Sequence, residues 1–540
     1  MRSRAIPVTL VLCIALASGG WLMERGLRGA GTSVAGARLF DQVSSLVREG
    51  YVDSISQGQI YRKSVDGLLH ELQDPHSVFL DSTRLRSLKE STSGRYAGIG
   101  IQMDLRDGWI TVVAPLPGSP AERAGIQTGD RVVEIEGKGT SGWTSEEASK
   151  ALRGEPGTSV KLMLERPGVA EHIPVRVDRR EIHVSSTRYA QLLGGGVGYV
   201  DFTIFSESSA EELRASIDSL RKAGMASLIL DLRGNPGGLL DQGVEVAELF
   251  LDQGQRVVST RGRTGDATHE FNDDAPQPWP ELPVVVLVDH GSASASEIVA
   301  GALQDQDRAA IVGVTSYGKG SAQSLFALPP TGALKLTTAK WFTPLGRSID
   351  RPQQPGDGED DTPTEPAKDV PRQRVKTPAG RVVLGGGGIT PDVIVEDTAR
   401  LPADRAFEQA LGKDVSKFRD ALAAYALELR ARGAVASPEF AVTPAMRADL
   451  YARLTARGVS VDRGVFDRAQ SLVTRVLGAQ IARYTFGPQA EFARGLRTDR
   501  SVAIALSLLN GVHTPRELLD RSTTQQQRQR ADSATAVKTK

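Results

Sequence analysis

Between residues 181 and 400 the apolar positions fall into short, nearly continuous runs separated by stretches of helical period. Runs from Val197 to Phe205 and over 227–232, 283–289 and 310–314 are what strands buried on both faces require. Ala210 to Lys222, 240–251 and 295–306 fill the gaps with helix-spaced apolar residues. This alternation predicts an α/β core with helices covering the sheet. One more strand is expected from Leu334 to Pro344. Outside this region the period is helical. Upstream, Leu39, Phe40, Val43, Leu46 and Val47 form one set and Ile60, Tyr61, Val65, Leu68 and Leu69 a second, read as helical and partly buried. Downstream, Phe418, Leu422, Tyr425 and Leu429, then Val465, Ala469, Leu472 and Val476, form stripes that face a core or a partner and suggest no chemistry.

Three segments break these periods. Arg2 and Arg4 precede an apolar stretch from Ala5 to Met23, so residues 1–24 are expected to be a signal peptide or a membrane anchor, followed by a linker over 25–37. Either reading sends the chain out of the cytoplasm, to the periplasm or another extracytoplasmic side. Residues 350–380, rich in proline and acidic groups, are expected to form a flexible insertion, and 522–540 a disordered tail.

Composition narrows the function classes. A chain of 540 residues exceeds a single core and should divide into about three or four domains. Lysine plus arginine equals aspartate plus glutamate, 65 each, so no basic field marks a nucleic-acid binder. Cys13 is the sole cysteine, which excludes an intrachain disulfide. The seven histidines lack zinc-ligand spacing, and no metal or cofactor is expected.

Candidate chemistry concentrates in two turns. After the apolar run ending near Val288 comes Gly291-Ser292-Ala293-Ser294-Ala295-Ser296-Glu297, and Tyr317-Gly318-Lys319-Gly320-Ser321-Ala322-Gln323 follows downstream. A serine at a strand-to-helix junction can attack a carbonyl while helix N-terminal N–H groups hold the oxyanion. Lysine serves as the base only when neutral, which requires its pKa of about 10.4 to fall by roughly 3 units, about 4 kcal/mol. The glycines beside Lys319 allow the close packing that desolvates an amine, and Gln323, four residues on, shares its face and can orient it. Spacing does not choose among Ser292, Ser294 and Ser296. The second turn, Arg233-Gly234-Asn235-Pro236-Gly237-Gly238, ends another strand and can offer Gly237 or Gly238 N–H as an oxyanion donor. His290 is a rival base, but adjacent Asp289 would point away from it on a strand.

These motifs resemble those of the carboxyl-terminal processing peptidases, or tail-specific proteases. The resemblance makes Ser294 the nucleophile, Lys319 the base, Gln323 its orienting partner and Ala295 the other oxyanion donor, with a structural role for Asp305. It implies a crotonase-like ββα protease core over 181–400 and a helical N-terminal region over 38–93 that commonly helps to pair subunits as a homodimer; the C-terminal region over 401–521, expected to be helical from its apolar stripes, lies outside the resemblance. Residues 94–180 resemble a PDZ domain: Tyr96-Ala97-Gly98-Ile99-Gly100-Ile101 fits the carboxylate-binding loop, and Ser119-Pro120-Ala121 through Gly129-Asp130 fits the following signature. Such a domain captures a C-terminal peptide by strand addition. Gly98, Ile99, Gly100 and Ile101 are thus the expected peptide-binding residues, Arg153 a residue coupling the domain to the core, and proteins with exposed C-termini the expected substrates. The rival class is a non-catalytic PDZ scaffold with a latent protease-like core.

Overall fold

The computed structural model describes residues 34–330, 332–351, 372–395 and 402–538. The expected leader (1–24), most of the linker and most of the 350–380 insertion lie outside these. Among the described residues no helix is long and apolar enough to cross a membrane. The chain divides into two compact units, 1–81 with 325–336, and 82–324 with 337–540.

In the first unit, helix 34–50 begins inside the expected linker, and helix Gln57–His70 is opened by Ser56, whose hydroxyl and Gln59 form a capping box. The second apolar set is partly buried as expected, Ile60 and Leu69 being buried while Leu68 is exposed; for the first set the expectation is corrected, since Leu39, Phe40, Val43, Leu46 and Val47 stay exposed. Strand Val78–Asp81, which helical period did not reveal, pairs antiparallel with Gly332–Lys335.

The second unit is built on a six-stranded sheet in the order Thr187–Leu193, Val197–Phe202, Ser227–Asp231, Val284–Val288, Ala310–Gly313 and Val393–Ile394. The first pair is antiparallel and the others parallel. Every residue of Val197–Phe202, Ser227–Asp231 and Val284–Val288 is buried, which explains their unbroken apolar runs. Helices Ser209–Lys222, Leu240–Glu248 and Ala295–Asp305 cover one face through Leu213, Ile217, Val246 and Val299. The other face is covered by C-terminal helices through Val502, Ala505, Leu508 and Leu518. Helix Pro515–Lys538 corrects the expected disordered tail. Leu518 and Ser522 are fully buried, and the Gln529 side chain exchanges hydrogen bonds with the Ile394 backbone, so a polar sequence is tied to the sheet edge. Likewise the end of the 350–380 segment is not loose: Arg374–Lys376 forms a hairpin with Val382–Leu384.

The PDZ-like part has a sheet in the order Ile101–Arg106, Trp109–Pro115, Arg131–Ile135, Ser159–Glu165, Ile173–Asp178, with helix Ser145–Leu152 packed on it. Strands Arg95–Gly98 and Arg180–His183 pair where the chain enters and leaves it. The remaining C-terminal helices enclose their own core around Phe407, Phe418, Leu422, Tyr425, Phe466 and Leu477. They touch the PDZ-like part through Arg430 donating to the Thr128 carbonyl (2.6 Å) and an Arg457–Asp107 ion pair (2.7 Å).

Candidate active site

The two turns singled out in the sequence meet at the carboxyl ends of adjacent strands Ser227–Asp231 and Val284–Val288, where open α/β sheets present their sites. Asn235 joins them. Its carbonyl accepts the Ala293 N–H (3.0 Å) and the Ser296 hydroxyl (2.9 Å), and its Nδ2 donates to the Phe202 carbonyl (2.8 Å). Ser292 is equally committed, donating to the Leu232 carbonyl at 2.8 Å while its oxygen accepts the Asp289 N–H. Both serines are fully buried. Ser294 differs: it caps helix Ala295–Asp305 with φ 55° and ψ −114°, in a capping box with Glu297, and its hydroxyl donates to no carbonyl among the described residues. A serine held at positive φ costs roughly 1–3 kcal/mol and persists only where the surroundings enforce it.

The enforcing group is Glu297, three residues on and fully buried. Its carboxylate accepts the Ser294 N–H (2.9 Å), the Gly318 N–H (2.6 Å), the Lys319 N–H (2.9 Å) and the Ser316 hydroxyl (2.6 Å). One side chain therefore fixes the backbone of the serine turn to that of the lysine turn. Burial pushes the Glu297 carboxyl up to about 7, against the pull of its four donors toward the ionised form. The sequence signal for it was the serine–x–x–glutamate spacing of a helix start.

Lys319 lies in a loop anchored on all sides. Its carbonyl accepts the Trp341 indole N–H (3.0 Å), the Gly320 carbonyl accepts the Trp341 N–H (2.9 Å), and the Ser292 carbonyl accepts the Tyr317 N–H (3.0 Å). A Cβ on Gly320 would stand 2.9 Å from the Asp350 nitrogen, so the close approach expected of the flanking glycines occurs. Gln323, in strand Ser321–Leu328, donates through Nε2 to the hydroxyls of Ser321 (3.0 Å) and Thr337 (3.2 Å); its Oε1 has no acceptor role among the described residues.

The oxyanion candidates separate. A Cβ on Gly237 would lie 2.8 Å from Ser294 Cβ, so this turn packs against the serine. The Gly237 N–H, however, donates to Asn235 Oδ1 (2.9 Å), which corrects its candidacy as a donor. The N–H groups of Gly238 and Ala295 find no acceptor among the described residues. Gly238 has φ 152°, and a Cβ there would come within 2.0 Å of the Phe205 carbonyl oxygen, so only glycine fits. Asp305 is structural: wholly buried, it pairs with buried Arg347 (2.5 Å) and accepts the Leu345 N–H. The carboxylate beside His290 is occupied elsewhere, since Asp289 accepts the N–H groups of Gly234 (2.8 Å) and Gly291 (2.9 Å). Among the described residues no group of three or more His, Cys, Asp or Glu could hold a metal.

In the PDZ-like part, Tyr96, Gly98, Ile99, Gly100, Ile101 and Arg153 line a groove of about 210 Å³ beside helix Ser145–Leu152. The N–H groups of Ile99 and Gly100 have no acceptor among the described residues, as a carboxylate loop requires. Arg153 does not contact the serine or lysine turns; it pairs with Glu90 and stands 5.1 Å over the Tyr96 ring.

A serine at a helix start whose hydroxyl donates to no carbonyl, beside N–H groups without acceptors among the described residues, is the arrangement of a serine-type peptidase, here joined to a peptide-binding module. Comparison with known proteins bears this out. Residues 196–357 match the model of peptidase family S41, and 111–166 that of a PDZ domain. A carboxy-terminal-processing protease of Bartonella bacilliformis is 39% identical over 57% of this chain and 71% of its own length. The carboxy-terminal processing protease CtpA of Bacillus subtilis is 36% identical over 59% of this chain and 69% of its own. Among solved structures, a photosystem II D1 C-terminal processing protease aligns over 66% of this chain and 92% of its own, at 27% identity and a TM-score of 0.34. The chain belongs to the carboxy-terminal processing proteases of peptidase family S41, and it is a serine-type peptidase.

Proposed function

We propose that the protein is an exported endopeptidase that takes protein substrates by their C-termini and cleaves them with Ser294 and Lys319. The observation that carries this reading is the serine triplet: two hydroxyls are spent on backbone carbonyls, and Ser294 alone is left for chemistry. Lys319 takes the Ser294 proton as the hydroxyl attacks the scissile carbonyl. The N–H groups of Ala295 and Gly238 hold the oxyanion, the protonated amine returns its proton to the leaving amine, and water then releases the acyl-enzyme. As substrate docks, Gln323 Oε1, which accepts nothing among the described residues before then, accepts from the Lys319 amine and aims it. Substrate docking completes the alignment of Ser294 Oγ with the lysine amine. Peptide binding at Gly98, Ile99, Gly100 and Ile101 delivers the substrate and favours the aligned state. Arg153, paired with Glu90 at the groove mouth, couples the two events.

Cleavage of an unfolded protein with an apolar C-terminus is expected from wild type and His290→Ala, and is expected to vanish in Ser294→Ala and Lys319→Ala. Full activity in Lys319→Ala would sink the assignment of the base. Deleting residues 94–180 should abolish processing of the tailed substrate; unchanged processing would sink the delivery role.

Two further parts of the reading rest on other features. The exposed apolar face of helices 34–50 and Gln57–His70 supports pairing with a second copy of the chain. The stretch from Ala5 to Met23 supports export and membrane attachment, and recovery of the protein in the cytoplasm with residues 1–24 intact would overturn it.

A further inference from the structure

The glycine turn that offers Gly238 N–H begins at Arg233, and that arginine is held from two directions. Within the core, Arg233 binds Asp231 through Nε (2.9 and 3.1 Å) and Nη2 (2.6 Å), and its backbone N–H donates to the same carboxylate (3.0 Å). Asp231 also accepts the buried Tyr199 hydroxyl at 2.5 Å. From outside the core, Asp499 Oδ2 stands 2.8 Å from Arg233 Nη2. Asp499 is the N-cap of helix Arg500–Leu509, its Oδ1 accepting the Val502 N–H at 3.0 Å. That helix is fixed to the underside of the sheet by Val502, Ala505, Leu508 and Leu509, packed with Tyr199, Ile229, Val285 and Leu287. Burial pulls the Arg233 guanidinium down, and its bonds and charge pairing with Asp231 and Asp499 more than offset this and hold it above its usual value. The arginine is therefore a permanent cation between two carboxylates, one from each side of the turn's base.

From Arg233 the turn is stiff. The Leu232 carbonyl receives the Asn235 N–H and the Ser292 hydroxyl, and Asn235 in turn fixes Ala293, Ser296 and Gly237. A displacement at Arg233 thus reaches the N–H of Gly238 through bonds that also reach the serine turn. Asp499 lies beyond residue 357, where the matched peptidase model ends.

We propose that Asp499 is a positioning residue of the peptidase: it holds Arg233, and through it the oxyanion-binding N–H of Gly238, from the C-terminal helical region. This rests on the reading of Ser294 and Gly238 given above. It makes the C-terminal helices part of the machinery that sets the transition-state geometry.

Asp499→Asn in the full chain isolates the charge, because asparagine caps a helix as well as aspartate does. The expected result is a roughly tenfold fall in kcat with KM unchanged. That is smaller than the roughly 10²–10³-fold loss when an oxyanion donor is removed outright. Inhibition by a peptide boronate, whose tetrahedral adduct on Ser294 places an oxygen in the oxyanion hole, should weaken by the same factor as kcat, and the thermal midpoint should stay at the wild-type value. Asp499→Ala should lose stability as well, since it also removes the cap. Wild-type kcat and boronate affinity in Asp499→Asn, with Ser294→Ala inactive, would overturn the inference and leave the peptidase reading intact. Activity persisting in Ser294→Ala would overturn both.

Discussion

The peptidase site and the PDZ groove are both built from strand ends and glycine loops, yet they treat the backbone in opposite ways. Around Ser294 nearly every polar group is paired. Glu297 alone takes four donors, Asn235 joins two turns, and Ser292 and Ser296 are consumed as struts. Among the described residues what is left open is narrow: the Ser294 hydroxyl proton and the N–H groups of Ala295 and Gly238. In the groove the groups without acceptors among the described residues, the N–H groups of Ile99 and Gly100 beside an apolar floor, are the proposed binding surface itself. Catalysis gains from donors fixed before the reaction starts, whereas recognition by strand addition needs an edge left open for a peptide to complete. Damage should therefore appear in kcat on one side and in KM on the other.

The largest effect that sharpens this contrast is expected at Glu297. Glu297→Gln keeps the shape but places an amide among four donors, and kcat should fall about 10²-fold with KM nearly unchanged, a loss comparable to that of an oxyanion donor. Its pH behaviour has a defined sign. The carboxyl is raised from 4.5 to about 7, so the stability that protonated Glu297 provides is complete below about pH 4.5 and is lost as the pH rises to about 7. The difference in thermal midpoint between wild type and Glu297→Gln should accordingly shrink from pH 5 to pH 7.5. A difference that widens would show that the four donors outweigh burial. Over the same range wild-type kcat should rise as the carboxylate that binds all four donors forms.

A smaller effect is expected in the groove. Gly100 has φ 76°, and a Cβ there would meet Ser119 Cβ at 2.5 Å, so Gly100→Val should distort the carboxylate loop. KM for a tailed protein substrate should rise about tenfold, as for one lost charge-assisted hydrogen bond, while hydrolysis of a short untailed peptide stays at the wild-type rate. Loss of kcat on both substrates would break the division. The smallest effect on chemistry is expected in the N-terminal unit. Leu46, 71% exposed, belongs to the apolar face, and Leu46→Glu should convert a dimer to a monomer in light scattering with kcat within about twofold of wild type. A dimer that survives the change would remove this face as the pairing surface.

The core was legible in the sequence because its strands are buried on both faces and so write themselves as apolar runs. The strands Val197–Phe202, Ser227–Asp231 and Val284–Val288 fall where those runs predict. Hairpin Arg256–Gly262 with His269–Asn272 was not legible, since its second strand is mostly exposed and carries no strong alternation. The tail helix was missed for a related reason: its composition is polar, and what holds it is Leu518, Ser522 and a side-chain bridge from Gln529 to the sheet edge. At the site, the serine and lysine turns stood out by residue type. Which serine keeps its hydroxyl proton uncommitted depends on carbonyls of Leu232 and Asn235, about 60 residues away in sequence, whereas the bond that removes Gly237 as an oxyanion donor is local, to the Asn235 side chain two residues back. The Arg233–Asp499 pair spans a still longer separation and left no local pattern.

The central claim is that Ser294 is activated by Lys319 and not by His290. Its most direct test is the rate at which Ser294 is acylated, followed by mass spectrometry with an activated peptide ester, in full-length wild type, Lys319→Ala and His290→Ala at one pH. Acylation is expected at the wild-type rate in His290→Ala and slower by roughly 10⁴-fold or more in Lys319→Ala, the scale seen when a nucleophile loses its base. Acylation that persists without Lys319 and disappears without His290 would contradict it.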